Sequence, residues 1–174
     1  MFNPDELSAS YQPAAVLIPV LKRGNGYTVL FTKRTAHLHA HGGQISFPGG
    51  RADAQDKDAV ATALREAAEE IGLLPQHVTV LGTLDPYIIG TGFRVVPVVG
   101  LVETPPEWMP DKFEVEAIFE VPISYILSPG NLSRQTVMQE GTEQHYYAMT
   151  WNNFYIWGAT AGMLRNFVEV ITHE

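Results

Sequence analysis

Short apolar runs separated by turn residues occupy most of the chain, and this pattern predicts strands. Residues 14–23 (AAVLIPVLKR) and 27–34 (YTVLFTKR) are rich in β-branched residues and are joined by Gly24-Asn25-Gly26, so we expect them to form a β-hairpin. Comparable runs predict further strands at 45–47, 77–85, 93–102 and 115–123, and a second hairpin made of 133–141 and 143–151.

Two segments have the pattern of helices. The first runs from about Asp56 to Ile71, with Asp56 or Asp58 as the expected N-cap and Gly72 at its end, and the second covers 155–172. The first helix has one apolar face, made by Val60, Ala63, Leu64, Ala67 and Ile71 at spacings of three and four. The order of the predicted elements along the chain is strands, a helix, more strands and a closing helix. This order predicts an α/β fold with a mixed sheet and helices on its faces.

The bulk composition narrows the class of protein. A net charge of −8 argues against a general nucleic-acid binder, because such proteins usually carry a basic excess. The lack of cysteine excludes a disulfide framework and thiolate ligands, so any metal would need oxygen or imidazole ligands. With no apolar run of membrane-spanning length and a polar N-terminal MFNPDELSAS, we expect one cytoplasmic domain over 1–174 without membrane partners. The sequence does not decide whether the protein forms a homodimer.

Three glutamates crowd the end of the first predicted helix. Glu66 and Glu70 are i,i+4 neighbours, and Glu69 lies three residues after Glu66, so all three project from one side. Like charges at this spacing repel, and the helix C-terminus disfavours negative charge. A bound divalent cation would remove both penalties, so a metal site is one interpretation. The other is an ordinary solvent-exposed charged face, because most runs of charged residues are of that kind. The spacing alone leaves both interpretations open.

A glycine pair precedes this helix, and together they resemble a known family. Gly49 and Gly50 allow backbone to approach a ligand closely, although such pairs are also ordinary in tight turns. The segment 50–73, with REAAEEIGL at its end, resembles the Nudix box. Arg65, Glu66, Glu69, Glu70 and Gly72 fit its helical half in order and spacing, with Ala67 and Leu73 at its apolar positions.

The front half of the box is one residue longer than usual, so the first box glutamate corresponds to Asp56 or Lys57. This longer form is similar to the coenzyme A pyrophosphatase subgroup of Nudix hydrolases. Residues 30–50, LFTKRTAHLHAHGGQISFPGG, resemble the upstream signature of that subgroup, with Arg34 in register and His39 in place of its second arginine. Further similar segments extend the resemblance over about residues 14–165.

The resemblance implies an α/β/α sandwich that hydrolyses a diphosphate with Mg²⁺ or Mn²⁺. Glu66 and Glu70 would be the core metal ligands, with Glu69 and the Gly50 carbonyl as additional ones, and Arg65 would orient the glutamates. Glu114, or its neighbour Glu116, would be the base that deprotonates water; strand alternation puts both on one face, so periodicity does not separate them. Arg34 and the Gly49-Gly50 turn would contact the substrate.

The resemblance also implies a substrate class. Coenzyme A or an acyl derivative would be cut to 3′,5′-ADP and (acyl-)4′-phosphopantetheine. Another nucleoside diphosphate derivative, such as ADP-ribose or NADH, is the alternative, and a non-catalytic Nudix-fold binding module is a third interpretation that the intact glutamate set disfavours. His37, His39 and His41 alternate along the chain, but a zinc site there is the weaker interpretation, because structural zinc usually needs four protein ligands.

Overall fold

The computed structural model describes residues 11–38 and 41–173. The elements follow one another along the chain as β1 (Gln12–Arg23), β2 (Gly26–Arg34), β3 (Ile45–Ser46), β4 (Gly49–Arg51), α1 (Ala59–Ile71), a 3-10 turn (Pro75–His77), β5 (Thr79–Thr83), β6 (Tyr87–Ile89), β7 (Phe93–Val102), β8 (Val115–Pro122), α2 (Ile123–Leu127), β9 (Ser133–Gln139), β10 (Thr142–Trp151), β11 (Phe154–Trp157) and α3 (Gly158–Thr172).

Strand β1 is the centre of the main sheet. It forms the predicted hairpin with β2, in which Arg23 pairs with Gly26, and it runs parallel to β7 along its length. The order is β3-β2-β1-β7-β5, with β4 paired to β1, β6 to β7 and β8 to β2, and the sheet is therefore mixed, as predicted. Strands β9, β10 and β11 form a separate antiparallel sheet, which contains the second predicted hairpin.

The two longer helices lie over two separate apolar clusters. Helix α1 places Ala63, Ala67 and Ile71 in a cluster with Leu17 and Val98. Helix α3 places Leu164 and Phe167 in the other cluster, which includes Ile18 and Phe31. Because neighbouring β1 residues such as Leu17 and Ile18 point to opposite faces, the sheet is buried on both sides between the helices. This is the α/β architecture that the pattern of strands and helices predicts.

The ends of α1 are set by local chemistry. The Asp58 carboxylate accepts a hydrogen bond from the Ala61 N–H at 2.8 Å, so Asp58 is the N-cap and the helix begins at Ala59. Gly72 ends the helix at a φ of 73°, and its N–H donates to the Ala68 carbonyl. The left-handed conformation at this position favours glycine, as the sequence indicates.

Several predicted boundaries are wrong. The closing helix begins at Gly158 rather than 155, because Phe154–Trp157 pairs with β10 and Gly158 has a φ of 63°. The predicted strand 77–85 divides into the 3-10 turn and β5, and Gly49-Gly50 belongs to β4 rather than to a free turn. Strand β6 and the short helix α2 were not expected from the pattern. In the part of the chain that the structure describes, no helix combines the length and apolarity needed to cross a bilayer.

Candidate active site

A cavity of about 630 Å³ lies beside β4 and the C-terminal half of α1. Of the residues that the sequence singles out, it collects the following around one space: Arg34, Gly49, Gly50, Glu66, Glu70 and Glu114. Arg65 and Glu69 do not line the cavity, and the Glu69 side chain is 61% exposed. Residues 66 and 70 therefore face the cavity, while residue 69 lies on the outer part of the same helix.

Glu70 is a buried carboxylate, only 4% exposed. Its Oε2 accepts a long hydrogen bond of 3.3 Å from the Gly49 N–H, and its Oε1 lies 3.8 Å from the Arg34 Nη1. These partners compensate only partly for the loss of water, and burial therefore raises the pKa of Glu70 to about 8, with further contributions from nearby Glu66 and Glu114. The fold thus holds in its interior an acid whose charged form is disfavoured.

Glu66 lies next to the second glycine of β4. A Cβ added to Gly50 would come within 2.5 Å of the Glu66 Oε1, so the missing side chain at 50 is what allows this carboxylate its position. Burial is the main cause that raises the pKa of Glu66, and nearby Glu69 and Glu114 raise it further. The Arg65 guanidinium opposes this rise.

Arg65 joins the acidic residues into one network. Its Nη1 donates to the Glu66 Oε1 at 2.9 Å and contacts the Glu69 Oε2 at 3.4 Å. Its Nη2 donates to the Asp56 Oδ2 at 2.9 Å and to the Arg51 carbonyl at 3.0 Å. One guanidinium therefore links helix α1 to the loop before it and to strand β4.

Asp56 is the acidic partner of this arginine. Its hydrogen bonds with Arg65, the Asp53 N–H and the Thr62 hydroxyl hold its pKa far below the usual range. Asp56 rather than Lys57 reaches Arg65, which favours Asp56 as the position that corresponds to the first box glutamate. Asp58 has the capping role, so the alternative that Asp56 caps the helix is wrong.

Glu114 and Glu116 have different environments. Glu114 precedes β8 and lines the cavity with Glu66 and Glu70. Glu116 accepts a hydrogen bond from Lys33 at 2.8 Å, and its side chain is 46% exposed. The alternation argument that puts both on one face is wrong, because Glu114 precedes the strand and the pairing with β2 shifts between Lys33 and Arg34.

Two residues that the sequence did not single out for the site hold the backbone around Glu114. The buried Thr35 hydroxyl donates to the Phe113 carbonyl at 2.6 Å, and the Thr35 N–H donates to the Glu114 carbonyl at 3.0 Å. The Asp111 N–H donates to the Glu70 carbonyl at 2.9 Å, while the Asp111 carbonyl accepts from the Glu114 N–H. The loop that carries Glu114 is thereby attached to the end of α1. For these contacts the sequence offers one signal, the position of Thr35 beside Arg34 in the upstream signature.

The donor set fits a hard divalent cation better than zinc. Among residues 11–38 and 41–173, no three carboxylate or imidazole groups are arranged to hold one ion. His37 packs against the Phe113 ring and His41 contacts Gln44, while His39 lies outside the described residues. Glu66 and Glu70 supply two carboxylates whose burial disfavours their charge, and a cation with remaining water or phosphate ligands would offset this, as is typical of Mg²⁺.

The buried position of Glu70 predicts a pH-dependent stability in metal-free protein. Because its folded pKa of about 8 lies above the ordinary value of 4.5, the proton-bound form stabilises the fold at low pH. That contribution is lost as the pH rises through about 8. In EDTA, the free energy of unfolding of Glu70→Gln should equal that of the wild type near pH 5. Near pH 9 it should be higher than that of the wild type by on the order of 2–4 kcal/mol.

Denaturant unfolding across this pH range measures the difference. Glu103→Gln is the matched control, because Glu103 is exposed and lies outside the cavity, so this variant removes a carboxylate without changing the buried site. A constant difference between Glu70→Gln and the wild type over the whole range would show that burial does not disfavour the charge of Glu70.

The chain is similar to known proteins over most of its length. A family model described as the NUDIX domain matches residues 11–140. A protein of Salmonella paratyphi B named "Uncharacterized Nudix hydrolase NudL" is 41% identical over 152 residues, which are 87% of this chain and 79% of the relative. The protein of the same name from Salmonella enteritidis has the same identity and coverage.

Solved structures show the same fold at low identity. The Nudix hydrolase RenU of M. smegmatis superposes with a TM-score of 0.65 at 18% identity, covering 93% of this chain and 86% of that one. An Ap4A hydrolase of C. elegans superposes with a TM-score of 0.55 at 18% identity, covering 64% of this chain and 80% of that one. Nudix hydrolases generally need divalent metal ions such as Mg²⁺ or Mn²⁺. The family match over residues 11–140 and the 41% identity to the Salmonella proteins establish that the chain belongs to the Nudix family of pyrophosphohydrolases, which act on nucleoside diphosphate derivatives.

Proposed function

We propose that this chain hydrolyses the diphosphate of coenzyme A or an acyl-coenzyme A, giving 3′,5′-ADP and (acyl-)4′-phosphopantetheine. The supporting observation is that the upstream signature and the glutamates share one cavity. Arg34 and Gly49, which match the upstream signature of the coenzyme A subgroup, line it together with Gly50, Glu66 and Glu70 of the box. The upstream signature is thus next to residues that are general to the family.

In this proposal Glu66 and Glu70 hold Mg²⁺ or Mn²⁺, supported by the Gly50 carbonyl and by Glu69 at the exposed edge. When bound, the cation neutralises phosphate oxygens and lowers the pKa of coordinated water. Arg65 keeps Glu66 oriented through its 2.9 Å contact, with Asp56 fixing the guanidinium from the other side. Arg34 contacts the diphosphate, because its Nη1 already lies beside Glu70 and its buried Nε has no partner among the described residues.

Glu114 is the proposed base. It accepts a proton from water as the water oxygen bonds to one phosphorus and the bridging P–O bond breaks, so that the leaving phosphate departs with the bridging oxygen. Its place in the cavity beside Glu66 and Glu70 supports this role, and the contacts of Thr35 and Asp111 hold its backbone there. Glu116, which is paired with Lys33 at the surface, is left without a role in the reaction.

The substrate assignment predicts a ranking of turnover. Purified protein with Mg²⁺ or Mn²⁺ should have its highest kcat/KM on coenzyme A or an acyl-coenzyme A when compared with ADP-ribose, NADH and a dinucleoside tetraphosphate. Chromatography should identify 3′,5′-ADP and 4′-phosphopantetheine as the products from coenzyme A. Glu70→Gln serves as the control for contaminating activity and should lower turnover at least about 100-fold, the scale for losing a key electrostatic group.

A kcat/KM on any other compound that is about tenfold higher than on coenzyme A would refute the coenzyme A assignment while leaving the family activity intact. No turnover of any member of the panel, with metal binding retained, would instead favour the binding-module interpretation.

The assignment of the base predicts unequal effects of two neighbouring substitutions. Glu114→Gln should lower kcat by about 100- to 10,000-fold, the usual contribution of general base catalysis, because it removes the proton acceptor but keeps the shape of the side chain. Glu116→Gln is the matched control and should stay within about threefold of the wild type, because an exposed ion pair contributes little. Comparable losses in both variants, or a near-normal rate in Glu114→Gln, would contradict the assignment.

A further inference from the structure

The residues that line the cavity form two chemically different sets. Glu66, Glu70 and Glu114 belong to a charged set with Arg34. The other set is apolar, and most of it belongs to the cluster under α3. Its side chains include Ile89, Phe93, Val95, Met163 and, at the start of α3, the 46% exposed Trp157. A ligand that fills the whole cavity therefore needs a charged part and an uncharged or aromatic part.

Arg51 lines the cavity and contacts Phe93, a member of the apolar set. Its guanidinium carbon lies 5.0 Å from the centroid of the Phe93 ring, which is the distance of a cation–π contact. Gly50, the preceding residue of β4, faces the Glu66 carboxylate, and successive strand residues point to opposite faces. The Arg51 side chain therefore leaves β4 on the face opposite to Gly50, and it contacts Phe93.

This guanidinium is available for a ligand. Arg34, the other arginine of the cavity, lies 3.8 Å from the Glu70 carboxylate, whereas Arg51 has no carboxylate within 4.0 Å in the described part of the chain. A guanidinium has five N–H donors, and these match the geometry of a phosphate. The Arg51 backbone is fixed, because its carbonyl accepts from Arg65 and it pairs with Ala14.

We propose that Arg51 binds a phosphomonoester that the substrate carries apart from its diphosphate, on the sugar of a nucleotide whose base lies against the apolar side chains of the cavity. The proposal rests on the proposed function, and in coenzyme A the group concerned is the 3′-phosphate of the ribose. Arg51 is then a specificity-determining residue that separates coenzyme A from dephospho-coenzyme A, two compounds that differ only in this phosphate.

Kinetics with the two compounds test the assignment. Arg51→Gln should lower kcat/KM for coenzyme A about 10- to 100-fold, which is the loss expected for one hydrogen bond between charged groups. The same substitution should change kcat/KM for dephospho-coenzyme A by less than about threefold. Arg51→Lys should recover part of the preference, because it keeps the charge. Arg94→Gln is the matched control, since Arg94 follows Phe93 on β7 but lies outside the cavity lining, and it should behave as the wild type.

Binding without turnover gives an independent readout. Calorimetry in EDTA should show that wild-type protein binds 3′,5′-ADP more tightly than AMP, by about tenfold or more, and that Arg51→Gln loses this difference. Equal losses of kcat/KM on coenzyme A and dephospho-coenzyme A would overturn the inference and assign Arg51 to the diphosphate. An Arg51→Gln variant that still prefers 3′,5′-ADP would overturn it as well.

The kinetic and the binding experiments together distinguish a failure of this inference from a failure of the proposed function. If coenzyme A is a poor substrate, the proposed function fails on the substrate panel, and the binding arm still decides whether Arg51 recognises a second phosphate. If coenzyme A is the best substrate and Arg51→Gln does not change the preference over dephospho-coenzyme A, the proposed function stands and the phosphomonoester subsite is refuted.

Discussion

The burial of the Glu70 carboxylate is the constraint on which the candidate site depends. A carboxylate that is 4% exposed loses most of its hydration, and the two groups that face it, the Gly49 N–H at 3.3 Å and the Arg34 Nη1 at 3.8 Å, are both distant. An incompletely paired charge of this kind lowers the stability of the fold unless it is protonated or a cation binds. A bound cation would remove this penalty without protonation, and the Nudix family generally needs divalent metal ions.

The rest of the structure maintains this arrangement from three directions. Helix α1 is fixed by its apolar face, so that Glu66 and Glu70 project into the cavity. Strand β4 brings glycine at the two positions where a side chain would collide with β1 or with Glu66. Arg65 joins α1, β4 and the loop of Asp56 in one network. Because these contacts come from separate elements, the position of the carboxylates is determined by the fold as a whole and not by the helix alone.

The sequence predicted the parts of this structure that depend on short-range pattern. The hairpins, α1 and its glycine end follow from periodicity and turn chemistry, and the mixed α/β class follows from the order of the elements. The pattern failed where pairing with a distant strand decided the conformation, as at Phe154–Trp157, and where a shift in register separated Glu114 from Glu116. It also could not foresee that Arg51 faces Phe93, because that contact depends on strands from different parts of the chain.

The central claim is that Glu66 and Glu70 form a divalent cation site prepared by the fold. Calorimetric titration of the wild type, Glu66→Gln, Glu70→Gln and Glu103→Gln with Mn²⁺ tests it directly. Wild-type protein and the exposed-site control should bind Mn²⁺ with equal affinity, and each cavity variant should bind at least about tenfold more weakly, since each loses one charged ligand. Equal Mn²⁺ affinity in all four proteins would contradict the account.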